Sequence, residues 1–569
     1  MNERPTAIRA ATLLPVTCAA LLCAACESPL QTAQRYETMR PAPERLREVP
    51  PLNIAAYERP PDEIEDEKER IFNPFEGLER VTVTLEECRA WTLERNPDLR
   101  VALIDPVISG EALSEEEAKF ESTIFSRLSY SEFTRPTASQ LASNELRSLD
   151  FEPGVRIPLR TGGTATVSLP MNRTETNNVF STLDPSYTIN PAFSISQPLL
   201  RNAGQRANTH SIRIASYNEQ ISRARTKLEV IRQLANVERA YWRMYGTARA
   251  LEVRQMQYEL AVEQLERARR QVRAGQVAEI EVIRAEAGIA ERLEAIIVAE
   301  ANLRDAQRDL KRIINVPGLE MGSPVLIVAG TDPDPVRYEL PGEELAEIAV
   351  YERMEMLELE LRLAQDSSTI DFTRNQALPL FTVDYTYRLN ALGRNPNDAL
   401  STMRSGDFDD HVVSLNAEIP VGNERARARV HQAVLSRLQR LSTREARQIS
   451  IRQEVYSAVD AVESGWQRIL AARQASLLNG RALDAEQRQF DVGASTSTDV
   501  LDASTRLADS QLAEIRALAE YQIALVDLAF ATGTLLGASK VSWEPLDPRS
   551  DADRGPLRGW RSVEEAGMR

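Results

Sequence analysis

Chemistry needs its groups close together, and few residues of this chain are spaced to supply it. Three histidines occur, His210, His411 and His431, and none has a second His or Cys at metal-ligand spacing. Of the four cysteines, Cys18, Cys23 and Cys26 lie in an N-terminal apolar stretch, so Cys88 stands alone in the body and no intramolecular disulfide framework exists there. No Ser-His-Asp, Cys-His or phosphate-loop pattern rises above chance, which sets an enzyme aside and leaves no metal or cofactor to place. What remains is a pair of carboxylates, Asp499 and Asp502, which are three apart near the start of a helix and therefore share a face. One reading of them is local: Thr496 followed three residues later by Asp499 is a capping-box-like pattern, and acids near a helix N-terminus suit its dipole. The other is electrostatic: repeated around a symmetry axis, they would form a dense negative ring that attracts cations.

The elements that position this pair are long helices. Glycine is scarce at 24 of 569 residues, and Ala, Glu, Arg, Leu and Gln dominate residues 201–315 and 423–537. No proline falls between Pro198 and Pro317 or between Pro420 and Pro545. The blocks echo each other at a fixed offset: 493 minus 275 is 218 for two glycines, and 500 minus 282 is 218 for two valines. Gly275 and Gly493 each interrupt a block once, so each block is predicted to be a helical hairpin. The first arm, residues 204–274, would run about 105 Å at 1.5 Å per residue. Ile212, Ala215, Ile221, Leu228, Ile231, Leu234, Val237 and Tyr241 recur at three and four, a packed seam that a simple coiled-coil rod would also show. The net charge of -16 excludes wrapping a nucleic acid, which needs clustered Lys and Arg.

Arg4 and Arg9 precede an apolar run, residues 10–25, that is too short and too broken at Pro15 to span a bilayer and reads as a secretory signal. Its end, Leu21-Leu22-Cys23-Ala24-Ala25-Cys26, resembles a bacterial lipobox, with Cys26 as the acylated residue. An ordinary signal peptide cut after Ala25 fits the same residues. Residues 26–80 are rich in Pro and charge without apolar period, as expected of a tether.

Between the helices lie strands. Phe381, Val383, Tyr385, Tyr387 and Leu389 alternate with Thr382, Asp384, Thr386 and Arg388, and similar alternation marks residues 411–420 and 186–197, with a less regular candidate at 123–134. About ten residues per strand, apolar on one face and polar on the other, is the pattern of a membrane β-barrel; a soluble antiparallel sheet shares it. Four strands cannot close a pore, and only a closed sheet satisfies its backbone in lipid, so several protomers must contribute; three would give a twelve-stranded barrel. Residues 153–172 form an additional predicted hairpin around Thr161-Gly162-Gly163-Thr164, which would either extend the barrel at its outer rim or fold over the mouth.

The order helix, strand, strand, long helical hairpin, repeated twice, resembles the TolC-type outer membrane efflux protein family over roughly residues 81–537. Leu85-Glu86-Glu87-Cys88 with Arg95-Asn96-Pro97-Asp98-Leu99 is similar to the family's first helix, and Gln197-Pro198-Leu199-Leu200 and Ile419-Pro420-Val421-Gly422 to its strand-to-helix junctions. Residues 492–503, Val-Gly-Ala-Ser-Thr-Ser-Thr-Asp-Val-Leu-Asp-Ala, are similar to its second periplasmic tip. The resemblance implies a homotrimer: a β-barrel in the outer membrane continued by an α-helical barrel. It also implies a passive exit duct for efflux or type I secretion, served by a periplasmic adaptor (membrane fusion) protein and an inner-membrane pump. Asp499 and Asp502 match the ring at the narrowest aperture, and Gly275, Gln276, Val277, Gly493, Ala494 and Ser495 would face the adaptor. Relatives with a well-described closed state hold the tip with an arginine and a tyrosine at positions that here are Ser495 and Phe490, with Glu281 at the acidic partner's place.

The expected organisation is a signal peptide over 1–25, a lipid-anchored tether over 26–80, a first repeat over 81–316, a linker over 317–342, a second repeat over 343–537 and a polar tail over 538–569. The competing account is a periplasmic coiled-coil structural lipoprotein or adaptor without a channel. The exported substrate is not legible, because a wide conduit is selective mainly through its partners.

Overall fold

The computed structural model describes residues 75, 77–137, 143–275, 278–492 and 494–541, which lie in one compact unit starting at Phe75. The expected signal peptide and Cys26 fall outside the described residues, as do most of the tether and of the C-terminal tail. The described chain opens with β1 (Arg80–Val83) and three helices, α1 (Leu85–Arg95), α2 (Pro97–Ala102) and α3 (Asp105–Ala118). Thr84 and Glu87 cap α1 reciprocally, and the Asn96 side chain accepts from the Asp98 and Leu99 amides to start α2.

Six strand segments follow: β2 (Thr123–Thr134), β3 (Glu145–Pro158), β4 (Thr164–Ser168), β5 (Met171–Thr176), β6 (Ser186–Ile189) and β7 (Ala192–Pro198). They lead through the short α4 (Gln205–Asn208) into α5 (His210–Arg273), which returns as α6 (Ile280–Ile314). The second half runs β8 (Leu326–Ala329), α7 (Gly342–Glu352), α8 (Met354–Gln376), β9 (Leu380–Leu389), β10 (Leu392–Gly393), α9 (Pro396–Ser405), β11 (Asp409–Glu418), α10 (Glu424–Asp491), α11 (Ser497–Ala531) and α12 (Leu535–Ala538).

With no internal proline, α5 keeps 64 residues and α10 keeps 68, so at 1.5 Å per residue they extend about 96 and 102 Å. The return helices α6 and α11 have 35 residues each. The 218-residue offset carries Ile280 to 498, one residue inside the start of α11. At one level the helices lie side by side in the order α6, α5, α11, α10, and nearer the strands in the order α3, α5, α8, α10. The largest core gathers where the return arm α6 ends: Val83, Cys88, Val237, Tyr241, Trp242, Ile314 and Ile327 pack together, and Ala346, Met356, Ile451, Val455, Val462 and Tyr521 form its counterpart on α10.

The strands differ from the four-strand expectation. The sheet has nine segments. β3 pairs with β5 over Leu146–Phe151 and with β4 over Gly154–Pro158, so β4 and β5 are successive halves of one strand. Likewise β6 and β7 continue each other against β5 and β4, and β9 and β10 against β7 and β6. Nine segments with three continuations leave six strands, each antiparallel to the next: β2, β3, β4–β5, β6–β7, β9–β10, β11. The extra hairpin expected over 153–172 therefore has longer arms, 145–158 and 164–176, and lies in the sheet between β2 and β7 rather than over its mouth.

Proline explains the misjudged limits. Pro153, the expected start of the hairpin, lies inside β3, while Pro170 and Pro191 fall level with it at the junctions of β4 with β5 and of β6 with β7. Each still uses its carbonyl: Leu169 N donates to Pro153 O, Asn190 N to Pro170 O and Leu389 N to Pro191 O, at 2.9, 2.9 and 3.0 Å. The expected linker over 317–342 is likewise not featureless. Its apolar run Leu326–Ala329 pairs in parallel with Arg80–Val83, and it lacks alternation because Val83 and Ile327 are both buried in the core.

Candidate functional site

The helical ends meet at a tip built from α5, α6, α10 and α11. Gly275 ends α5 at φ +72, a left-handed value that only glycine adopts without strain. Gln276, Val277 and Gly493 lie outside the described residues. Ala494 is exposed, and its amide donates to Gln489 O at 2.9 Å, while Ser495 is half-buried. Beneath them Leu483, Phe490, Val500 and Ala503 form a small core with Leu260 of α5. Phe490, at the position where relatives with a well-described closed state carry a tyrosine, is thus packed inside the tip.

Asp499 and Asp502 are both exposed on the first two turns of α11. The capping reading of Asp499 holds: Thr496 donates its amide (2.9 Å) and hydroxyl (2.6 Å) to Asp499 Oδ2, and the Asp499 amide donates to Thr496 Oγ1. These bonds, the hydroxyl first, hold the Asp499 carboxyl below the usual aspartate range, so it stays charged through mild acid. Ser495 Oγ donates to Glu486 Oε2 at 2.9 Å and lies 3.3 Å from Asp499 Oδ2. It therefore ties the loop to its own hairpin. The Asp502 carboxylate has no hydrogen-bonded partner among the described residues. Capping and an exposed negative charge are therefore compatible, since the cap occupies one oxygen of Asp499 and leaves Asp502 untouched.

One tip residue escaped sequence reasoning. Arg292 of α6 is 8% exposed. It donates to Gly288 O on its own helix and, across to α11, to Thr505 Oγ1 at 3.1 Å and to Leu501 O and Ser504 Oγ at 3.4 Å. Burial pulls its guanidinium below the usual arginine value; the nearby charges of Glu291 and Asp502 oppose that pull and Arg254 adds to it. A buried cation with no ion-pair partner among the described residues is expensive, so its neutral acceptors must hold it. It fastens the first hairpin to the second one turn beyond the acidic pair. On the other side, Glu281 pairs with Arg284 of its own helix at 2.7 Å rather than with the other hairpin.

Chemistry elsewhere is quiet. Burial pushes the Cys88 thiol up to about 12, which removes its nucleophilicity. No group of three or more His, Cys, Asp or Glu side chains among the described residues could hold a metal, and no described helix is long and apolar enough to cross a membrane.

Against known proteins, residues 345–534 match the family described as Outer membrane efflux protein. The chain is 28% identical over 198 residues to Outer membrane protein TolC of Vibrio cholerae serotype O1, covering 34% of this chain and 44% of the relative. It is 25% identical over 310 residues to Outer membrane protein TolC of Escherichia coli (strain K12), covering 53% and 61%. The matched part thus spans about half the length of these relatives. Among solved structures, the CmeC outer membrane channel of Campylobacter jejuni superposes with a TM-score of 0.59 at 14% identity, covering 79% of this chain and 86% of that one. The open-state MtrE outer membrane channel of Neisseria gonorrhoeae gives 0.55 at 18%, covering 79% and 89%. At such identities the likeness concerns the fold.

Proposed function

We propose that the chain is a member of the outer membrane efflux protein family, whose model matches residues 345–534, and that it is one third of a passive outer-membrane exit duct. The observation that carries the proposal is the pair of open sheet edges. Among the described residues β2 and β11 each have one neighbour, β3 and β9 respectively, and both are almost wholly exposed. Because six strands alternate in direction, β2 and β11 run oppositely, so β11 of one copy can continue β2 of the next in antiparallel pairing. Repetition around an axis closes the sheet, and closure is the only way such strands satisfy their backbone in lipid. Helices follow the same plan: exposed Ile108 on α3 lies on the β2 side and exposed Leu435, Leu438 and Leu441 of α10 on the β11 side.

In this reading three copies form an outer-membrane β-barrel continued by a helical barrel in the periplasm. Asp499 and Asp502 ring its narrow end, and the tip residues Gly275, Gln276, Val277, Gly493, Ala494 and Ser495 receive a periplasmic adaptor that couples the duct to an inner-membrane pump. Cys26 adds a lipid anchor. The protein performs no reaction of its own.

The test uses the two sheet faces. An arginine facing lipid near the bilayer midplane costs about 2–4 kcal/mol. Val383→Arg should therefore be lost from the outer-membrane fraction while Thr386→Arg, on the opposite face of β9, is retained. Assembly of Val383→Arg at the wild-type level would replace this reading by the channel-free coiled-coil lipoprotein or adaptor.

A further inference from the structure

We infer that the assembled barrel has eighteen strands rather than twelve, with β3 and β4–β5 built into its wall as two added strands per chain; this rests on the duct reading above. Pairing is the first support. β2 pairs with β3 over twelve residues, Thr123–Thr134, and makes no pair with β7. The route from β2 to β7 passes only through β3 and β4–β5, so removing the added pair from the wall would leave β2 without its partner and β7 paired with β9 alone.

Side-chain chemistry is the second support. One row read straight across the paired residues is Ile124, Val155, Val167, Phe193, Tyr387, His411. The next row on that face is Ile157, Ala165, Ile195, Tyr385, Val413. Between them, on the other face, runs Thr123, Arg156, Thr166, Ser194, Thr386, Val412. The added strands therefore place their apolar residues on the same face as the expected four strands and their polar residues on the same opposite face. A flap over the mouth would need no such register. The polar face carries its own bonds there: Asn172 donates to Ser148 Oγ at 2.9 Å and to Asp150.

Size is the third. With strands about 4.8 Å apart and tilted about 40°, eighteen give a perimeter of about 110 Å and twelve about 75 Å. Below the sheet each chain supplies α3, α5, α8 and α10 side by side, and twelve helices at 8–10 Å spacing have a perimeter of about 96–120 Å. The added strands need no helix beneath them: their turn is seated on the segment that starts α5, where Gly204 N donates to Thr161 O at 3.0 Å and Asn202 O lies where a Cβ on Gly162 would fall. The consequence is an outer exit with roughly twice the cross-section of a twelve-stranded one, which moves size selection away from the barrel and toward the tip and any loops at the mouth.

Cryo-electron microscopy of the full-length, membrane-extracted protein tests this by counting strands in sections through the barrel. Eighteen is expected. Twelve strands in a closed threefold barrel would overturn the inference and leave the duct standing, whereas the absence of any closed barrel would end both. Independently, Val167→Arg should reduce the assembled protein in the outer membrane at least tenfold while Thr166→Arg, one residue away on the polar face, leaves it near wild type. Wild-type assembly of Val167→Arg would place β4 outside the wall and overturn the inference.

Discussion

Replacing Arg292 by methionine removes a charge that joins the two helical hairpins and keeps most of the side chain's volume. Of its three bonds to α11, only that to Thr505 is short at 3.1 Å, while those to Leu501 and Ser504 are at 3.4 Å. A bond to a charged group contributes about 1.5–3 kcal/mol net, so one good bond and two marginal ones amount to about 2 kcal/mol in favour of the joined tip. At 1.4 kcal/mol per decade, Arg292→Met lowers the joined-to-parted ratio roughly thirtyfold. Single-channel recording in planar bilayers reads this as a longer time in the high-conductance state. Arg292→Lys falls between, because one ammonium cannot reach spread acceptors as a guanidinium fork does. If Arg292→Met folds and conducts with an unchanged open fraction, the bonds across to α11 do not hold the tip and the reasoning fails.

Arg353, 4% exposed, bonds Glu355 and Glu454, which Arg447 also contacts at 3.2 and 3.1 Å. Arg353→Met leaves two carboxylates to one arginine and should cost about 3 kcal/mol, the low end for a broken buried pair because Glu454 is partly exposed; hydrogen exchange of α8 and α10 measures it. Burial raises the Glu355 and Glu454 pKa values, but the Arg353 hydrogen bonds and the arginine charges outweigh it and hold both below the ordinary 4.5. Their stabilisation is therefore complete above that value and is lost as pH falls through the lowered ones, and the acid-side loss should be smaller in Arg353→Met. Changing both Asp499 and Asp502 to Asn should weaken block of the conductance by Mg²⁺ about tenfold or more, the size of about 1–2 kcal/mol of Coulomb attraction; equal block would remove the acidic pair from the ion path. Cys26→Ser should abolish N-terminal acylation in the mass of the mature protein, and an unacylated wild type would favour the ordinary signal peptide.

Long-range order was legible where period and repetition carry it. The hairpin arms, the offset of 218 residues and the alternating faces of β9 and β11 all follow from spacing alone. What escaped depends on partners far away in the chain. Pro153 is an ordinary strand breaker until it is seen inside β3 with Leu169 N donating to its carbonyl. Leu326–Ala329 is a four-residue apolar run that becomes a strand only because Arg80–Val83 lies beside it. At the tip, Asp499 stood out through its motif and Asp502 through its spacing, but Arg292 is one arginine among many on an arginine-rich helix. Only the packing of α11 against it, with Ser504 buried and Thr505 in reach, distinguishes it from a solvated charge.

Negative-stain imaging of the detergent-solubilised, membrane-extracted protein bears most directly on the duct itself. Class averages of elongated hollow particles with threefold symmetry are the predicted result; solid rods or monomers would contradict the account and return the long helices to a structural coiled coil.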